Sequence, residues 1–75
     1  MRANNLIEID TKKLRRHAEE ERWSDSAIAR KSGLTQSGVT KVMNGKVHPR
    51  AGTLKLICDT IAIPIEEVFV KKHAA

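Results

Sequence analysis

Ser24-Asp-Ser-Ala-Ile-Ala-Arg-Lys-Ser-Gly-Leu-Thr-Gln-Ser-Gly-Val-Thr-Lys-Val-Met-Asn44 writes two short helices around a glycine, each opened by its own hydroxyl cap. Ser24 and Thr35 are side chains that accept the free N–H groups of a helix's first turn. After Ser24, the small and apolar residues Ala27, Ile28 and Ala29 provide one inward face. Gly33 can adopt the left-handed conformation that closes a helix, and Leu34 beside it can fold back onto that face. After Thr35, Val39, Val42 and Met43 fall at i, i+3 and i+4 and therefore share a side. The opposite side is Gln36, Ser37, Thr40, Lys41 and Asn44, which includes side-chain types that pair with base edges and phosphate oxygens. Such a pair of helices presents one of its members to a nucleic-acid groove; the competing reading is a polar, solvated face on an ordinary helix pair.

Charge favours the first reading. No acidic side chain lies between Asp25 and Asp59, whereas Arg30, Lys31, Lys41, Lys46, Arg50 and Lys55 all do. The carboxylates cluster instead in the runs Glu19-Glu20-Glu21 and Glu66-Glu67, so a polyanion is drawn to the middle of the chain and repelled from those runs. The net charge of +5 suits nucleic acid or an anionic membrane surface. No apolar run approaches the roughly 20 residues of a membrane span, and the first residues are too charged for a secretory signal, which implies a cytoplasmic chain. A chain of 75 residues has room for one core. Its single cysteine, Cys58, cannot form an internal disulfide and reads as a buried core residue.

Outward from the central stretch, Thr11 to Arg22 carries Leu14, His17 and Ala18 at helical spacing, with Asp10 or Thr11 available as its cap. Its other face holds Lys12, Lys13, Arg15 and Arg16, able to approach phosphates or simply to solubilise the domain. Trp23 is expected to anchor this helix against the next in the core. Gly45 to Gly52 reads as a basic loop stiffened by Pro49, after which Thr53 caps a helix with Leu54, Ile57, Cys58 and Ile61 on one stripe and Leu56 off it. Pro64 opens a last short helix with Ile65, Glu66, Glu67, Val68 and Phe69. Leu6 to Asp10 alternates in a way that suits a short strand able to pair with Phe69 to Lys72. The other reading makes Met1 to Asn5 a disordered arm whose Arg2 reaches along a groove or backbone. The expected organisation is an arm or short strand over 1–9, a five-helix all-α domain over 10–70 and a basic tail over 71–75.

These residues resemble the Cro and lambda-repressor type of helix-turn-helix domain, the XRE family, along Ser24 to Val68 and, with the first helix, about sixty residues. The match is carried by Gln36-Ser-Gly-Val39, Asn44-Gly45 and Ile63-x-Ile65-Glu-Glu67, with Ile28, Ala29, Gly33, Val39 and Val42 at the family's spacing. The resemblance implies that helices 2 and 3 form the helix-turn-helix. Ala29 allows close crossing, Gly33 makes the turn, and Val39 and Val42 fill the wedge. It further implies a recognition helix from Gln36 to Asn44 in the major groove, with Gln36, Ser37, Lys41 and, more weakly, Thr40 contacting bases. Ser24, Asn44, Lys46, His48 and Arg50 are the implied backbone contacts. Two positions depart from the family. Asp25 stands where a glutamine usually bonds both a phosphate and the residue matched by Gln36, which puts that clamp in question. Ala18 stands where an arginine often makes a structural ion pair, so that pair is expected to be missing.

The implied function is sequence-specific binding of double-stranded DNA by a homodimer on an inverted-repeat operator, with repression as the usual consequence. The alternative is an antitoxin or other protein-interaction module on the same scaffold. An enzyme is not expected: His17, His48 and His73 lie far apart, no serine has an evident base, and no metal-ligand spacing appears, so no metal, cofactor or small-molecule ligand is implied.

Overall fold

The computed structural model describes residues 7–72, and the arm reading for Met1 to Asn5 and the end of the basic tail lie outside them. The order is β1 (Ile7–Ile9), α1 (Thr11–Glu20), α2 (Asp25–Ser32), α3 (Gln36–Met43), α4 (Ala51–Ile61), α5 (Ile65–Val68) and β2 (Phe69–Lys72). The strand reading therefore holds. β1 and β2 pair antiparallel, Ile7 with Lys72 and Glu8 with Lys71, and an irregularity after Glu8 brings Ile9 opposite Phe69. The first two residues assigned to the tail thus lie in β2.

Each of the first three helices begins where a side-chain oxygen replaces a missing backbone acceptor. Asp10 accepts from the Lys13 N–H, Ser24 from Ala27 and Thr35 from Gly38. The fourth helix corrects the sequence expectation. It starts at Ala51, two residues before Thr53, with Arg50 at the cap position and no side-chain cap bond. Rigid Pro49, which is buried, delivers the chain into that helix, and its carbonyl accepts from the Ile7 N–H at 2.7 Å. At the far end Phe69 is a cap in extended conformation and the first residue of β2 instead of a helical residue, because the chain turns outward to join β1.

The core is a single cluster containing Leu14 and Ala18 of α1, Ile28 and Ala29 of α2, Val39, Val42 and Met43 of α3, the Leu54, Ile57, Cys58 and Ile61 stripe of α4, and Val68. Leu56 is exposed, as its place off that stripe requires. Trp23 packs on the core as expected, but at its edge and not inside it. It is half-buried, since the turn after α1 ends on Arg22 in the left-handed region at φ 63° and brings Trp23 round to cover the helix end. Burial pushes the Cys58 thiol up to about 11, with a smaller contribution from neighbouring Asp59. His17 sits at the core boundary and its Nε2–H donates to the Ile61 carbonyl at 2.8 Å, tying α1 to the end of α4.

Candidate nucleic-acid interface

Helices α2 and α3 are joined by three residues, and the joint is built as the sequence demands. Gly33 takes φ 83° and its N–H donates to the Ala29 carbonyl at 2.9 Å, while the Leu34 N–H is met by Ser32 Oγ at 3.3 Å. Ile28, Ala29, Val39 and Val42 are all buried, so the two helices are locked across a dry seam. With Val39, Val42 and Met43 turned inward, Gln36, Ser37, Lys41 and Asn44 are exposed on the other side of α3.

The end of α3 is closed by a second left-handed glycine, Gly45, at φ 72°. The Gly45 N–H donates to Val42 and the Lys46 N–H to Lys41, the paired bonds of a Schellman turn. A side chain at Gly45 would also crowd Thr11 Oγ1, since a Cβ built there lies 3.3 Å from it. This turn sends the chain into exposed Lys46, His48 and Arg50, and Arg30 and Lys31 at the end of α2 are exposed as well. No carboxylate lies in the sequence between Asp25 and Asp59, and Lys55, within that interval, pairs with Asp59 itself at 3.4 Å.

Three of the implied contact residues have occupations of their own. Thr40 is half-buried, and its Oγ1–H donates to Asp25 Oδ2 at 2.9 Å. Its hydroxyl proton is therefore committed within the protein, and the departure at Asp25 is matched by a hydroxyl partner on α3. Ser24 Oγ serves as the α2 cap, accepting from Ala27 N–H at 3.1 Å. Asn44 Oδ1 accepts from Arg15 Nη1 at 2.6 Å. That last contact was not legible in the sequence, where Arg15 is one of four cations on a polar helix face. Its 29-residue separation from Asn44 leaves no local signature. Ala18, where the ion pair was expected to be missing, is buried, and it lines one small cleft together with Arg15, Glu19, Trp23, Asp25 and Met43.

Residues 12–68 match the family model described as helix-turn-helix. No curated protein matches the chain. No helix among the described residues is long and apolar enough to cross a membrane, and no cluster of His, Cys, Asp or Glu among them could hold a metal ion.

Proposed function

The chain belongs to the helix-turn-helix family of the XRE, Cro-like type, a DNA-binding family, and on that premise we propose that it reads a specific operator as a repressor of transcription. The observation that carries this is the two-sidedness of α3. Its apolar residues are sealed in the core, and Gln36, Ser37 and Lys41 project from the opposite side beside an acid-free basic stretch. Placed in a major groove, the glutamine amide can both donate to and accept from a base edge, Lys41 can donate to guanine, and Ser37 can serve either role. Lys46, His48 and Arg50 follow the helix end and supply the phosphate contacts that dominate affinity. Two copies read an inverted repeat with half-sites about one helical turn apart. The protein then acts in the cytoplasm, on the nucleoid, and its regulation follows from excluding polymerase.

The test is selection of bound sequences from a random duplex library at about 0.15 M salt, a concentration at which phosphate attraction is largely screened beyond contact range, followed by the mass of the complex. A symmetric enriched site and a two-chain mass support the proposal. No enrichment favours the protein-interaction module, and an asymmetric site with one chain bound removes the homodimer.

A further inference from the structure

Arg15 leaves α1 and ends against the last turn of α3. Its Nη1 lies 2.6 Å from Asn44 Oδ1 and 3.3 Å from the Met43 carbonyl, while Nη2 is 3.9 Å from Glu19 Oε2. The Met43 interaction has a clear cause. The Schellman turn satisfies the carbonyls of Lys41 and Val42, and the Asn44 N–H takes that of Thr40, which leaves the Met43 carbonyl open to the Arg15 guanidinium. A cation also suits the negative end of a helix.

The Asn44 interaction has a chemical consequence. A guanidinium has donors only, so the amide atom turned towards Arg15 has to be the oxygen. The two ends of a carboxamide point apart, and the Asn44 side chain is exposed, so its nitrogen is left to face outward. That nitrogen carries two donors, the polarity that a phosphate oxygen needs. A freely rotating amide would offer its oxygen, which phosphate repels, about as often.

We propose that Arg15 is a positioning residue: it holds the Asn44 amide by its oxygen so that the amide nitrogen is presented to a backbone phosphate of the bound duplex. This rests on the reading of α3 as the helix that lies in the groove. The preorganisation belongs to the free protein and does not have to be assembled on binding.

Five proteins test it: the parent, Asn44→Asp, Asn44→Ala, Arg15→Met and the double variant Arg15→Met/Asn44→Ala. Each is titrated with the selected duplex and with a random duplex across a salt series, and each is melted. Asn44→Asp keeps an acceptor for Arg15 but has no outward donor, so it melts at or above the parent temperature and binds both duplexes at least tenfold more weakly. Arg15→Met weakens both duplexes, by less than Asn44→Ala because the freed amide still offers its nitrogen part of the time, and the double variant loses no more than Asn44→Ala alone. The salt slope of Arg15→Met stays close to the parent's, because the group that Arg15 positions is a neutral amide. Parent-like binding by Asn44→Asp, additive losses in the double variant, or a slope reduced by about 0.9, one phosphate's worth, would each overturn the positioning role. The side-chain amide resonances of Asn44 in the free protein separate the two levels. If they shift on Arg15→Met but the parent binds no duplex, the DNA-reading proposal has failed and this inference falls with it. If the parent binds and the losses add, only the inference falls.

Discussion

Thr40 Oγ1 donates to Asp25 Oδ2 across 2.9 Å, linking the first residue of α2 to the middle of α3. The carboxylate stands at the N-terminus of α2, where the helix dipole favours negative charge, and the half-buried hydroxyl fixes its direction. This bond joins the two helices near the exposed side of α3, at the position where related domains carry glutamine.

Thr40→Val keeps the shape of the side chain and removes the donor. The expected loss is about 1.5–3 kcal/mol, the usual range for a hydrogen bond to a charged group. Urea unfolding of Thr40→Val, Asp25→Ala and the double variant should show the second substitution costing much less once the first is made. Fully additive losses would mean that this bond does not hold the helices together.

The left-handed positions divide by residue type. Gly33 and Gly45 carry φ 83° and 72°, but Ala62, which ends α4, carries φ 60° with a Cβ. The steric cost of that Cβ exceeds the chain entropy that alanine saves, so Ala62→Gly should stabilise by about 0.5–1 kcal/mol. Gly33→Ala should destabilise by about 1 kcal/mol, since the space beside it is open and only φ objects. Gly45→Ala should be worse than Gly33→Ala, because it adds the crowding of Thr11. Thermal melts give the ranking, and an Ala62→Gly melt below the parent would contradict it.

Base readers and phosphate contacts should fail differently. Gln36→Ala is expected to cost about 1–3 kcal/mol at one base pair of each half-site while leaving random-duplex binding nearly unchanged. Lys46→Ala or Arg50→Ala should weaken every sequence alike and lower the salt slope by about one. Binding isotherms on single-substituted operators distinguish these outcomes, and a uniform loss from Gln36→Ala would remove it from the base-reading set.

Cys58 gives a pH signature. Its thiol is raised from 9.0 to about 11 on folding, so the folded protein holds this proton more tightly than the unfolded chain does. Below pH 9 both states are protonated and the stability is intact. Between 9 and 11 the unfolded state gains by ionising, and the folded protein loses stability on the order of 2 kcal/mol. Cys58→Ala should lack that alkaline decline, whatever its packing cost at neutral pH. At pH 8 the native thiol should also react with a disulfide reagent far more slowly than the urea-unfolded thiol.

Residue order alone settles whatever short-range chemistry controls. The caps at Ser24 and Thr35, the glycine joint at Gly33 and the 3.6-residue apolar rows of α3 and α4 act within one or two turns, so their residues are legible side by side. The same rows place Gln36, Ser37 and Lys41 outward, since a helix that buries Val39, Val42 and Met43 has only one side left. Packing decided the rest. Thr53 is a good cap by type, but the fixed path through buried Pro49 starts α4 at Ala51; Phe69 suits a helix, but pairing with Ile9 draws it into a strand. Whether Arg15 was a solvated cation or the partner of Asn44, and whether Asp25 left a gap or found Thr40, depended on residues 29 and 15 positions away. Interactions of that span are set by how helices cross, and a crossing is a property of the whole packed core.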